Sequence, residues 1–338
     1  MKAIILEAPK RIRLSFLPTP KRRKNEVLIE PKTVGICGTD VSVYSGNLPV
    51  KYPIVLGHEY CAEIVDIDDN IYGLKQNDLV VGEGSWGCGA CFFCLHGQFQ
   101  YCEKQRQLGR TVNGVMSEFA TVPGATLHNL PKGISLEEAQ SIVTIATGLR
   151  AVHRGNVAVG NRLLILGSGH AGLILTQLCR IAGASLVVVT GTRRERLKIA
   201  RKLGADETVT IDRKSWEDKV KKIFGDEGVD IVIDAAGRRD SLNQAIDFVK
   251  RGGTIIEFGT YTSKPDRFEA PQIYKKEITI IGSKGGAFEY EKAIDLVHQK
   301  RVKISPLISH RISLKETAEI FKQINEGTRD ILRAVIEI

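Results

Sequence analysis

The chain has 338 residues, 43% hydrophobic and 26% charged, with a formal net charge of +9. At about 150 residues per domain this predicts two domains with a full core, and it excludes a disordered or collagen-like chain. The apolar runs fall far short of the roughly 20 residues a membrane span needs, and the N-terminal one is too short for a signal peptide, so the expected setting is cytoplasmic with no membrane.

Residues 1–135 predict short strands, among them Val27–Pro31, Glu63–Ile67 and Leu79–Val81. Their one concentrated basic run, Lys21-Arg22-Arg23-Lys24, follows a Pro-Thr-Pro turn and reads as a loop tip, with no nucleic-acid groove. Two short motifs come next, Cys37-Gly38-Thr39-Asp40 and Gly57-His58-Glu59. Cys and His are good zinc ligands and a carboxylate can be a third; fewer than four protein ligands leaves room for water or substrate, as at a catalytic metal. Alone, these motifs fit a buried cysteine and a satisfied core histidine better, and the patterns that follow reverse that balance.

Cys88, Cys91, Cys94 and Cys102 then bring four soft ligands into fifteen residues. The total of seven cysteines is odd and no signal peptide is expected, which argues against a disulfide framework. Four thiolates in a compact loop suit a closed tetrahedral zinc site, with an iron–sulfur cluster or a disulfide pair as competing readings. Cys61, in a strand-like run, and Cys179, in a helix, read as core residues.

From Leu136 the pattern changes. A helix over Leu136–Arg154 is followed by strand Arg162–Leu166, helix Ala171–Ala182, strand Ser185–Thr190 and helix Glu195–Leu203. Strand Ile231–Asp234, helix Ser241–Lys250 and strands Thr254–Phe258 and Ile278–Ile281 continue the series. Such alternation predicts a parallel sheet with helices on both faces. Two tail helices, near Tyr290–Lys300 and Leu314–Asn325, precede a last strand at Ala334–Ile338, which is expected to return to the first domain.

Between the first of these strands and its helix, Gly167-Ser168-Gly169-His170-Ala171-Gly172 fits a dinucleotide fingerprint. Its glycines permit the tight turn, backbone approach to a pyrophosphate and close helix–strand packing, and the helix N-terminus offers free N–H groups. Where NAD sites place a carboxylate, about 20 residues on, this chain has Gly191, followed by Thr192, Arg193 and Arg194. A small residue plus arginines favours a 2′-phosphate, so NADP is expected over NAD, unless the arginines are ordinary exposed charges.

Together these residues resemble the zinc-dependent alcohol dehydrogenases of the medium-chain dehydrogenase/reductase superfamily. The likeness spans essentially the whole chain, adding Val229–Gly237 and Gly252–Gly259 to the motifs above. It implies a Rossmann doubly wound parallel sheet plus a mainly β, GroES-like catalytic domain with a zinc-binding lobe. The implied boundaries are 1–147 and 286–338 for the catalytic domain, with the lobe at about 84–104, and 148–285 for the dinucleotide-binding domain.

The resemblance also implies roles. Cys37 and His58 look like catalytic zinc ligands, Glu59 like a ligand or near-ligand, Asp40 like the acceptor that orients His58, and Thr39 like the hydroxyl that passes the substrate proton. Cys88, Cys91, Cys94 and Cys102 would hold a second, structural zinc. Tyr44, Leu48 and Trp86 are assigned to the substrate pocket from their nearness to these motifs. Strand Ile278–Ile281 resembles the edge through which relatives form dimers or tetramers.

Two departures stand out. The Glu that polyol dehydrogenases often carry near the zinc is absent, since Val143-Thr144-Ile145 stands there. The position of a common relay histidine holds Ser42, so Thr39 would deliver its proton through Ser42, a ribose hydroxyl or water. The expected activity is hydride transfer between an alcohol or polyol and NADP(H). An aldose dehydrogenase, an NAD-dependent polyol or amino-alcohol dehydrogenase and a zinc-free enone reductase are the alternatives of the same fold, and Cys37, His58 and both metal patterns argue against the last. A nucleic-acid-binding zinc module is disfavoured, because Cys88–Cys102 contains no Lys or Arg.

Overall fold

The computed structural model describes residues 1–68, 72–212, 215–226, 228–261 and 269–338. The chain divides into two units: Met1–Val143, Tyr290–Lys300 and Ile308–Ile338 form the first, Thr144–Glu289 and Arg301–Leu307 the second. Among the described residues no helix is long and apolar enough to cross a membrane.

The first unit is mainly β. Its central strand, Glu26–Gly35, alternates buried and part-exposed side chains, as a half-buried antiparallel strand must. It pairs antiparallel with Glu59–Asp66 on one side and with Ala334–Glu337 on the other. The C-terminal strand therefore closes onto the N-terminal segment, and His310–Ser313 adds beside it in parallel. Leu79–Gly82 and Leu127–Asn129 extend the opposite edge. A smaller sheet runs Arg11–Phe16, Lys2–Ala8, Ile54–Val55. The core between them is apolar, led by Ile4, Leu6, Ile29, Tyr60, Ile64, Met116 and Phe321.

The second unit is a six-stranded parallel sheet in the order Glu207–Thr210, Leu186–Gly191, Arg162–Leu166, Val229–Asp234, Val249–Glu257, Thr279–Gly282. Its middle strands are apolar along nearly their whole length, the mark of strands covered on both faces. The order reverses between Arg162–Leu166 and Val229–Asp234, the switch point where such sheets bind ligands outside the strands' carboxyl ends.

One predicted element is divided. The helix read over Leu136–Arg154 is two helices, Leu136–Ala139, capped by Ser135, and Ile142–Arg154. Gln140 and Ser141 between them are wholly buried. The Gln140 amide donates to Glu137 O and Ser141 Oγ while its carbonyl accepts from Arg333. A side chain drawn into a distant polar cluster, which no local pattern reports, breaks the helix there. The helix predicted near Leu314–Asn325 likewise opens with a 3₁₀ turn, Leu314–Glu316, before Thr317–Glu326.

Candidate active site and metal centres

Strand Glu26–Gly35 delivers the chain to Cys37, which caps the helix Gly38–Ser45. Asp40, in that helix's first turn, accepts from the Cys37 N–H at 2.9 Å through Oδ2. Its other oxygen, Oδ1, lies 3.2 Å from His58 Nδ1. One buried carboxylate thus fixes both the helix start and the imidazole, and leaves His58 Nε2 to face Glu59 Oε1 at 3.9 Å. The ligand atoms of Cys37, His58 and Glu59 lie within 4.8 Å of one another. Burial and then the Glu59 charge push the Cys37 thiol above its usual range, so a bound cation would favour its ionised form. Thiolate, imidazole and carboxylate converging at a half-buried point fit a zinc ion with an open position.

Behind Glu59 lies Arg333, 2% exposed. Its guanidinium pairs with Glu59 Oε2 and Gln140 Oε1 and donates to Ile36 O at 3.1 Å. Gly35 makes the room: a Cβ there would come within 1.9 Å of Arg333 Nη2. The second carboxylate oxygen of Glu59 is therefore held by the protein.

Thr39 is half-buried on the helix start, and its hydroxyl makes no hydrogen bond among the described residues. Ser42 is buried and donates to Gly38 O at 2.9 Å.

In the cysteine lobe, Ser85–Trp86 pairs with Arg106–Gln107, and the turn Phe92–Leu95 starts at Cys91. The four sulfurs of Cys88, Cys91, Cys94 and Cys102 lie within 4.8 Å of one another, and none is in a disulfide. The Cys88 N–H donates to Cys102 Sγ at 3.4 Å. Backbone N–H groups of Ala90 and Cys91 bring Cys88 down to about 6. Four close sulfurs without disulfides, one already favoured as thiolate, fit a closed tetrahedral zinc site.

In the second unit, Gly169 begins the helix His170–Ile181, whose first-turn N–H groups have no helical acceptors. A Cβ on Gly172 would lie 2.0 Å from Gly167 O, so helix and strand meet this closely only because residue 172 is glycine. No atom lies within 4 Å of a Cβ built on Gly169, which leaves the backbone open to a phosphate. Ala171 follows in the first turn. At the end of strand Leu186–Gly191, Thr192, Arg193 and Arg194 are exposed. The guanidinium groups of the two arginines make no hydrogen bond or ion pair among the described residues.

Residues 171–299 match the family model of zinc-binding dehydrogenases, and residues 23–132 that of the alcohol dehydrogenase GroES-like domain. An L-galactonate-5-dehydrogenase of Escherichia coli K12 is 31% identical over 99% of this chain and 98% of its own. The chain belongs to the zinc-dependent alcohol dehydrogenase family. A sorbitol dehydrogenase of Halalkalibacterium halodurans is 27% identical over 92% of this chain and 91% of its own. A protein described as a zinc-binding dehydrogenase, from Sinorhizobium meliloti 1021 and bound to NADP, is 28% identical with a TM-score of 0.92, covering 100% of this chain and 99% of that one.

As a zinc-dependent alcohol dehydrogenase, the chain has a GroES-like first unit and a Rossmann-type second. One expectation about its site needs correction. Tyr44 does not line a pocket: it is 5% exposed, in the core of the first unit, with its ring 5.4 Å from that of Phe321. Helix Gly38–Ser45 turns the Asp40, Val43 and Tyr44 face inward, and nearness in sequence to Thr39 hid this. Leu48 and Trp86 are half-buried and pack on the same core. At Gly191 a Cβ would come within 2.1 Å of Ser168 Oγ. Ser168 lay within the fingerprint and was legible as a neighbour. Arg333 and Gln140 carried no sequence signal.

Proposed function

We propose that this dehydrogenase oxidises a secondary hydroxyl of a polyol or sugar-type alcohol, or reduces the corresponding ketone, with NADP(H) and two zinc ions per chain. The observation that carries the reading is the convergence of Cys37, His58 and Glu59 within 4.8 Å, with His58 oriented by Asp40. The polyol class is supported by the full-length relatives, named for sorbitol and L-galactonate.

Zinc at this centre would supply Lewis-acid polarisation of the substrate oxygen, and the nicotinamide would take or give the hydride. The chain's own work is holding and proton transfer. Cys37 and His58 would hold the metal; Asp40, 3.2 Å from His58 Nδ1, fixes the ring and leaves Nε2 free to ligate. Glu59 is shared, with one oxygen toward His58 and the other on Arg333. Thr39 takes the substrate hydroxyl proton. Ser42 donates its hydroxyl hydrogen to Gly38 O, so its oxygen can accept from Thr39, but it can pass a proton onward only by releasing that bond. The four-cysteine lobe would hold the second zinc and stabilise the fold.

Gly167, Gly169, His170, Ala171 and Gly172 bind the pyrophosphate. Gly191 lacks the carboxylate that would repel a 2′-phosphate, and unpartnered Arg193 and Arg194 supply guanidinium groups that suit one. We also take the outer strand Thr279–Gly282 as the edge for self-association, since Thr279 and Ile280 are exposed on it.

A panel of polyols, aldoses, simple secondary alcohols and amino-alcohols, read by reduced-nicotinamide absorbance with each cofactor, tests the reading. Turnover led by polyols supports it. Turnover confined to aldoses or to primary alcohols would overturn it.

A further inference from the structure

At the carboxyl ends of strands Val229–Asp234 and Val249–Glu257, Asp234 and Glu257 are direct neighbours in register. Two like charges side by side on a sheet destabilise it. The surroundings decide which one stays charged. Asp234 is wholly buried, and Oδ1 accepts from the N–H groups of Ala236 and Gly237 at 2.9 and 3.0 Å. Its Oδ2 accepts from Ser241 Oγ. This is a carboxylate saturated with donors.

Tyr261 bridges the pair. Its hydroxyl oxygen is 2.9 Å from Asp234 Oδ2 and 2.9 Å from Glu257 Oε2. A phenol has one proton. Spent on Asp234, it leaves Glu257 able to bond the same oxygen only as a protonated acid. Burial, then the charge of Asp234, push Glu257 up to about 7. Its Oε1 is buried with no hydrogen-bond partner. Among the described residues, the titratable groups that face Glu257 are Asp234 and Tyr261.

The place matters as much as the chemistry. Phe258 and Gly259 donate their N–H groups to Asp234 O, and a Cβ on Gly259 would lie 2.4 Å from Gly237 N. The acid pair therefore underpins the two touching loops just beyond the switch point. The fingerprint half of the sheet takes the adenosine and pyrophosphate, so these loops serve the nicotinamide half.

Resting on the reading that the second unit binds a nicotinamide dinucleotide, we propose that Glu257 senses the charge of the nicotinamide ring. It is a neutral acid beside the uncharged reduced ring and gives its proton to solvent when the cationic oxidised ring binds. An opposite charge favours the ionised carboxylate, and a fall of about one unit in the titration midpoint releases roughly half a proton per chain near pH ~6.5. The consequence is that oxidised cofactor binds more tightly, relative to reduced, as pH rises through neutrality.

Calorimetric titration of the zinc-loaded protein with oxidised and with reduced dinucleotide, in buffers of different protonation heat, counts the protons. The expected result is a release with the oxidised form that exceeds that with the reduced form by about half a proton. Glu257→Gln should abolish that excess while both forms still bind. Tyr261→Phe, which cuts the link to Asp234, should move the pH at which the excess is greatest. Equal release in the wild type, an excess that survives Glu257→Gln, or an unmoved profile in Tyr261→Phe overturns the inference alone. Failure of either cofactor form to bind wild type overturns the dinucleotide reading and the inference with it.

Discussion

The guanidinium of Arg333 and the carboxylate of Glu59 form a buried ion pair across 274 residues of chain. It joins the start of the C-terminal strand to the carboxylate that faces His58. A buried pair adds little net stability over an apolar substitute, but removing one partner strands the other charge.

Arg333→Leu is therefore expected to destabilise the first unit by about 3–5 kcal/mol. Arg333→Leu with Glu59→Gln should recover much of the loss, because no naked charge is left. Chemical denaturation of the two variants and wild type reads this directly. Equal losses in the single and double variants would mean that the pair carries no special weight.

That pair also marks where sequence reading stops. The four cysteines and Gly167–Gly172 are contiguous, and metal spacing or a glycine turn is local chemistry. Cys37, Thr39 and Asp40 are close in sequence, and the single link to His58 is bridged by residue type. Arg333 and Gln140 meet Glu59 only through folding, so neither stood out, and Gln140 broke a helix whose apolar period ran through it. Tyr44 misled because position beside a motif says nothing about which helix face is buried. Strand Glu207–Thr210 and helix Trp216–Phe224 carry weak sequence patterns: the strand has four residues, and the helix buries only Trp216, Val220 and Phe224.

The two cysteine sites should separate by consequence. Cys91→Ser removes one of four close sulfurs, and a closed site couples metal binding to folding, so melting temperature should fall and one zinc should be lost. Cys37→Ala should remove turnover with a near-unchanged melting temperature. Metal analysis finding iron and labile sulfide in the lobe would contradict the assignment.

Thr39→Val keeps the volume and removes the hydroxyl. A general acid–base group typically contributes about 10²–10⁴-fold, so kcat should fall within that range while cofactor affinity holds. Full activity in this variant would show that the proton leaves by another route.

Cofactor preference should follow the exposed arginines. A charge-assisted hydrogen bond contributes about 1.5–3 kcal/mol, worth roughly one to two decades, and solvent exposure trims this. The wild type should favour NADP in kcat/KM, and Arg193→Ala with Arg194→Ala should erase the preference. Gly191→Asp alone drives its Cβ against Ser168, so the clean reversal pairs it with Ser168→Gly. A wild type that prefers NAD, or a preference untouched by loss of both arginines, would contradict this.

The central claim is that Cys37 and His58 hold the metal on which hydride transfer depends. The most direct measurement follows reduced-nicotinamide formation from a polyol with wild type, chelator-stripped protein, zinc-restored protein and His58→Ala. Zinc-dependent turnover that disappears on stripping, returns with zinc and never appears in His58→Ala is the predicted result. Turnover that persists in stripped protein or in a folded His58→Ala variant would contradict the account.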